Sequence, residues 1–128
     1  GKTVMIVEIK QDLQDLLREK LKKRGYRVLI FSDPERAIDK FNPEESMVAD
    51  CLVVCAADLG NHALEAFNKF VSDEHTKEIP AIMLVDPKQT HIIRGAKTSA
   101  KHVLIPMPLK VRELRQALAK LTDKKISA

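Results

Sequence analysis

The sequence predicts an α/β protein built on a doubly wound, five-stranded parallel sheet. Five apolar, strand-like segments alternate with five helical patterns along 128 residues. Apolar residues occupy successive positions at Val53–Val54 and at Ile82–Leu84, which indicates strands buried on both faces. The content of 45% hydrophobic and 31% charged residues is ordinary for a globular domain. We therefore predict one domain over residues 1–128.

The first half of the chain is predicted to contain two strands and two helices. The strands lie at about 3–9 and 26–31, where apolar residues run together. The first helix spans about 11–24 and stops at Gly25, because glycine readily adopts the left-handed conformation that follows many helices. Its apolar stripe, at helical spacing, is expected to bury Leu13, Leu16, Leu17 and Leu21.

A second helix is predicted to begin in the segment Ser32-Asp33-Pro34-Glu35. Ser32 is expected to be the cap, with Pro34 in the first turn and Glu35 three residues after Ser32. This is the pattern of a capping box, so the helix start is well defined by sequence.

In the second half, strands and helices alternate three more times. The strands are predicted at 51–55, 80–85 and 103–106, and the helices at about 62–72, 89–98 and 110–122. The residues expected to be buried are Leu64, Phe67 and Val71 in the first of these helices, Ile92, Ile93 and Ala96 in the second, and Val111, Leu114, Ala117, Leu118 and Leu121 in the third.

Composition limits where this domain is expected to work. No apolar run approaches the roughly 20 residues that cross a bilayer. Cys51 and Cys55 lie on one predicted strand, about 13 Å apart between Cα atoms, which exceeds the roughly 7 Å that a disulfide spans. A reducing cytoplasm is therefore expected. Because the chain starts at Gly1 and almost directly in a strand, we expect a piece of a longer protein, in which Lys124–Ala128 starts a connection to another domain.

The carboxyl ends of the strands are where function is expected, since ligands bind beyond them in open parallel sheets. The first strand closes on Glu8 and Ile9, and the third ends at Cys55. The fourth ends at Val85 and Asp86, and Met107 follows the fifth.

These strands and their spacing resemble the receiver domain of bacterial response regulators. The resemblance covers nearly the whole chain, from Thr3 to about Leu121, and implies the strand order 2-1-3-4-5. Gly60 stands where the family's loop has glycine, and Pro108 where the family has proline.

The resemblance also implies that most of the reactive residues are replaced. Glu8 stands at the first metal-binding acid of the family. The other positions are substituted: Ile9 replaces the second acid, Cys55 the phosphoryl-acceptor aspartate, Val85 the hydroxyl residue and Met107 the lysine. Phosphoryl transfer depends on positioning and charge neutralisation, and Mg²⁺ requires hard oxygen ligands. The resemblance therefore implies a degenerate receiver with no catalytic residue, metal or cofactor of its own.

The function expected from this resemblance is signalling by phosphorylation-independent protein–protein interaction within a larger bacterial protein, and the domain itself is not expected to be an enzyme. Two alternatives stay open. One is an unorthodox receiver that is still phosphorylated and binds Mg²⁺ through Glu8. The other is a redox sensor based on Cys55, although packing is the more common role of a buried cysteine. Asp58 and Asp86 are expected to be solvated turn residues rather than metal ligands.

Basic residues crowd the last third of the chain, which carries few acids. The net charge is +4, too mild to favour nucleic acid, and His62, His75, His91 and His102 show no ligand spacing. In receivers the fourth helix, fifth strand and fifth helix form the dimerisation and output surface. The basic residues there are expected either to dock an acidic partner or a second copy, or to form an ordinary solvated helix face. The candidate interaction residues are Arg94, Lys97, Lys101, Lys110, Arg112 and Arg115.

Overall fold

The computed structural model describes residues 1–44 and 46–123. Its strands form a single sheet in the order β2-β1-β3-β4-β5, and each neighbouring pair runs parallel. This confirms the predicted fold class and strand order. The strands are β1 (Thr3–Val7), β2 (Arg27–Phe31), β3 (Cys51–Cys55), β4 (Ala81–Val85) and β5 (His102–Pro106).

The described residues form six helices, one more than the sequence predicted. The additional helix follows β3 directly and is separated from the next one by Gly60, whose φ of +60° suits only glycine well. A four-residue helix is too short to show periodicity, so the sequence pattern did not reveal it. The helices are α1 (Gln11–Lys22), α2 (Pro34–Asp39), α3 (Ala56–Leu59), α4 (Asn61–Ser72), α5 (Thr90–Gly95) and α6 (Val111–Leu121).

Two predicted helix boundaries were wrong for identifiable reasons. The cap of α2 is Asp33 rather than Ser32, because the Asp33 carboxylate accepts the Glu35 backbone N–H at 3.0 Å. Helix α5 ends at Gly95 rather than near residue 98. There the Asn68 side chain donates to the Gly95 carbonyl at 3.0 Å and accepts the Lys97 N–H at 2.9 Å, which satisfies backbone groups at the helix end.

Helices cover both faces of the sheet and enclose two apolar cores. Helices α1 and α6 pack on one face, where Leu17, Leu21, Leu114 and Leu118 are fully buried. Helices α2, α4 and α5 pack on the other face. The residues expected to be buried that instead reach solvent are Leu16, at 39% exposure, and Ile93, at 36%.

Both cysteines are free and buried, as their spacing predicted. Within the described residues, no helix combines the length and apolar character that a membrane span requires. The predicted connection at Lys124–Ala128 lies outside the described residues.

Candidate functional site

Three polar side chains meet at the carboxyl edge of the sheet. Glu8 directly follows β1, Cys55 ends the neighbouring strand β3, and Asp58 lies in α3. Their ligand atoms all lie within 4.8 Å of one another. Glu8 is fully buried and Cys55 is 1% exposed. The parallel pairing of β1 with β3 explains why residues 47 positions apart in sequence come together.

Lys10 closes this group on its solvent side. Its ammonium nitrogen lies 2.9 Å from Asp58 Oδ1, and the Cys55 thiol donates to Asp58 Oδ2 at 3.5 Å. Glu8 Oε2 accepts the Ile9 backbone N–H at 2.8 Å. Glu8 Oε1 is buried, and no donor among the described residues bonds to it. We call Glu8, Lys10, Cys55 and Asp58 the edge cluster.

The two carboxyl groups of the edge cluster divide one proton between them. Burial, followed by the neighbouring Asp58 carboxyl group, raises the pKa of Glu8 to about 7. Burial opposes ionisation of Asp58, but the neighbouring Glu8, Lys10 and Cys55 side chains outweigh it and lower the Asp58 pKa. Glu8 is therefore the carboxyl group that binds a proton more tightly, while Asp58 carries a charge that Lys10 compensates.

Cys55 is held as a neutral thiol. Burial, followed by the nearby charge of Glu8, raises the pKa of Cys55 far above its ordinary value. A reactive cysteine needs the opposite shift, because the thiolate is the nucleophile.

The side chains at the other substituted positions either pack against the core or face solvent. Val85 is 2% exposed and belongs to the core under α4, whereas Met107 packs partly buried on the opposite side. Their backbones are joined by a 2.7 Å hydrogen bond from the Met107 N–H to the Val85 carbonyl. Ile9 is 51% exposed. Of the five predicted site positions, the structure brings Glu8 and Cys55 into the edge cluster.

The two loop acids behave differently from each other. Asp86 accepts the Lys88 N–H at 2.9 Å, which is the turn role that the sequence predicted. Asp58 was also expected to be a solvated turn residue, and that was wrong, because α3 turns its carboxylate inward over Glu8 and Cys55. Lys10 was missed altogether. Its place just beyond the first strand, at the same edge as Asp58, was the available signal.

A groove of about 600 Å³ lies elsewhere, between α2 and α4. Asp33, His62 and Glu65 are among its lining residues, and no member of the edge cluster is. His102 is buried, and its ring nitrogens bond to the Ser99 hydroxyl and the Ile79 carbonyl. These contacts give His102 a structural role.

The six candidate interaction residues divide between the two sides of the sheet. Arg94 and Lys97 belong to α5 and the segment after it, whereas Arg112 and Arg115 belong to α6 on the opposite face. Lys101 pairs with Glu78 at 2.7 Å and Lys110 with Glu113 at 3.9 Å. Two of the six basic residues, Lys101 and Lys110, are therefore already paired with acids of this chain.

Comparisons with known proteins bear on the fold. No protein-family model matches the sequence, and no curated protein is similar to it in sequence. Solved structures match over almost the whole chain. The receiver domain of the sensor histidine kinase PA1611 from Pseudomonas aeruginosa superposes with a TM-score of 0.76 at 18% identity, covering 95% of this chain and 98% of that one. The fold is that of a receiver domain.

Two further structures share this receiver fold. The receiver domain of a signal transduction histidine kinase from Syntrophus aciditrophicus gives a TM-score of 0.79 at 16% identity, covering 95% of this chain and 90% of that one. The chemotaxis response regulator CheY4 of Vibrio cholerae gives 0.72 at 15% identity, covering 94% and 98%. The similarity extends across the whole fold rather than one motif.

The Pseudomonas receiver domain has a magnesium ion coordinated in its active-site cleft. Whether the edge cluster could hold the same ion depends on the donor atoms that it offers. Glu8 Oε1 is one hard oxygen without a hydrogen-bond partner among the described residues. Asp58 is already engaged by Lys10, and the third donor is a protonated sulfur, which Mg²⁺ does not favour. The residues present do not fit Mg²⁺.

Proposed function

We infer that this chain is a degenerate receiver domain of two-component-type signal transduction, which acts through phosphorylation-independent protein–protein interaction. The domain itself has no enzymatic role in this proposal. The solved structures that share its fold include receiver domains of two histidine kinases and a chemotaxis response regulator, and this supports the signalling context.

The observation that carries the proposal is the internal neutralisation of the edge cluster. The acceptor position holds Cys55, a buried neutral thiol. The Asp58 carboxylate is compensated by Lys10 at 2.9 Å, and the raised pKa of Glu8, about 7, disfavours a second negative charge beside it. A phosphodonor would therefore meet neither an exposed nucleophilic carboxylate at the end of β3 nor a free set of metal ligands.

A second candidate function has one observation in its favour. Glu8 and Asp58 are two carboxyl groups at the carboxyl edge of the sheet, within 4.8 Å of each other. If Lys10 moved away, Asp58 would be the carboxylate open to phosphorylation. In that unorthodox receiver, Asp58 would take the acceptor role that Cys55 cannot fill. The redox alternative has less support, because the pKa of Cys55 is shifted against thiolate formation.

The test is exposure of the purified chain to Mg²⁺ and acetyl phosphate, read by intact mass, with amide NMR in beryllofluoride as a second readout. The wild type is compared with Asp58→Asn and with Asp86→Asn, a matched change of a loop acid outside the edge cluster. We expect no phosphoryl adduct in any of the three proteins. We also expect no amide shifts near Glu8, Cys55 and Met107.

A phosphoryl adduct on the wild type would overturn the phosphorylation-independent proposal. Loss of that adduct in Asp58→Asn, with retention in Asp86→Asn, would establish the second candidate and identify Asp58 as the acceptor.

A further inference from the structure

We propose that a groove lined by arginines between α6 and the end of α1 binds an acidic peptide segment of a partner protein. This inference rests on the proposed function, because it names the chemistry of the partner that a phosphorylation-independent receiver would bind. The groove has a volume of about 340 Å³. We call it the arginine groove, and it is lined by Arg24, Tyr26, Arg112, Arg115, Gln116 and Ala119.

Helical geometry places four of these residues on one stripe. Positions 112, 115, 116 and 119 follow the three- and four-residue spacing of a single helix face, and they span about 10 Å of helix at 1.5 Å per residue. Arg24 and Tyr26 face this stripe from the turn between α1 and β2. The result is an elongated site with guanidinium groups from two separate segments.

The arginines of the groove are not paired with the acids that the structure describes: no ion pair there involves Arg24, Arg112 or Arg115. Two acids of the flanking helices are engaged by lysines at the helix ends, Glu19 by Lys23 at 3.2 Å and Glu113 by Lys110 at 3.9 Å. The positive charge of the groove is therefore available to an external anion.

Arg115 supplies a second, independent observation. Its Nε is buried and has no hydrogen-bond partner within the part of the chain that the structure describes. A buried donor without an acceptor is unfavourable. A shift of the Arg115 side chain that brings Nε to a carboxylate in the groove would therefore remove that penalty. An arginine fork binds a carboxylate with two parallel hydrogen bonds, one of them from Nε in the side-on geometry.

The dimensions favour an acidic peptide over other anions. In an extended peptide, side chains two residues apart on one face are separated by about 7 Å, a span within the length of this groove. Tyr26 and Ala119 add apolar contact area suited to side chains and backbone. A nucleic-acid site would concentrate more positive charge than a chain of net charge +4 provides.

The experiment measures fluorescence anisotropy of a fluorescein-labelled peptide of alternating Glu and Ala with the full chain at low salt. A peptide of alternating Gln and Ala is the ligand control. The test protein is the double variant Arg112→Gln/Arg115→Gln. The matched control is Arg94→Gln/Lys120→Gln, which removes the same charge from exposed positions outside the groove.

We expect the Glu peptide to bind and the Gln peptide not to bind. The groove variant should weaken binding by about tenfold or more, and the control variant by no more than about twofold. Arg115→Lys keeps the charge but loses the fork, so it should fall between the wild type and the double variant.

Equal losses in the groove and control variants would overturn the proposal, because binding would then be nonspecific attraction. Absence of binding would overturn it as well. So would displacement of the peptide by inorganic phosphate or duplex DNA at concentrations below the peptide's own, since the groove would then select another anion. The phosphodonor experiment does not involve these arginines, so the two proposals fail separately.

Discussion

The edge cluster and the arginine groove differ in whether their charged side chains have partners of opposite charge. At the edge cluster, the Asp58 carboxylate is compensated by Lys10, and the pKa of Glu8 is raised to about 7. In the arginine groove, three arginines line one site, and none of them forms an ion pair with a described acid. The charges of the edge cluster are paired within the cluster, whereas the described acids leave the arginines of the groove unpaired.

This difference indicates where binding energy remains available. Compensated charges gain little from a new partner, because an incoming ion must first replace the existing contacts. Uncompensated charges can pair with a ligand without breaking any contact. A charged partner is therefore expected to bind at the surface of α6 rather than at the carboxyl edge of the sheet.

The largest expected effect is that of Cys55→Asp, which tests whether the edge cluster is closed to water. Cys55 is 1% exposed and has Glu8 and Asp58 as neighbours, so a third carboxyl group would be buried without a cation of its own. We expect a loss of about 3–5 kcal/mol in the free energy of unfolding at pH 8, measured by urea denaturation. Cys55→Ala is the control for lost packing, with an expected loss of about 1 kcal/mol. Equal stability of the two variants would contradict a dry site.

The protonation of Glu8 is tested by the pH dependence of stability. Its pKa rises from an ordinary 4.5 to about 7 in the folded protein, so the folded state binds the proton more tightly than the unfolded state. This stabilisation is complete below about pH 4.5 and disappears as the pH rises through about 7. We expect the wild type to lose about 2–3 kcal/mol from this group between pH 5 and pH 8.

Glu8→Gln should remove that pH dependence, because the amide stays neutral throughout. Urea denaturation at the two pH values measures the effect, with Glu65→Gln on the exposed face of α4 as the control that keeps the wild-type slope. The lowered pKa of Asp58 acts below about pH 3.8, outside this range. A Glu8→Gln variant with an unchanged slope would refute the shared proton.

The smallest expected effect is that of replacing Arg115, which lines the arginine groove. Its buried Nε has no partner among the described residues, so Arg115→Leu removes an unfavourable group and should change the free energy of unfolding by less than about 0.5 kcal/mol. Thr76→Val is the contrast, because the buried Thr76 hydroxyl donates to the Phe70 carbonyl. That variant should lose about 1–2 kcal/mol. A larger loss for Arg115→Leu would show that Arg115 is already satisfied.

Local patterns in the sequence were sufficient for the strands and for most helices. The successive apolar residues of β3 and β4 predicted strands buried on both faces, and every residue of both strands is buried. Helix α3 and the early end of α5 were not predictable in this way. The first is a four-residue helix set by Gly60, and the second is ended by Asn68, a residue of α4.

For the candidate site, the sequence identified Glu8 and Cys55 because both occupy strand ends. It did not identify Lys10 as a partner or Asp58 as an inward-facing acid, since both roles depend on how α3 leaves the sheet. The predicted basic surface was treated as one face. The structure divides it between α5 and α6 on opposite sides of the sheet and adds Arg24 from the α1–β2 turn to Arg112 and Arg115.

The sequence by itself determined the receiver-type fold, the order in which strands and helices follow one another, and the identity of the residues at the strand ends. These depend on apolar periodicity and turn chemistry, which act between residues close in the chain. Only the tertiary structure decided that Lys10 compensates Asp58, that the pKa of Glu8 is raised, and that three arginines share one groove. Those features depend on burial and on distances between segments far apart in sequence, and electrostatic energies change steeply with both.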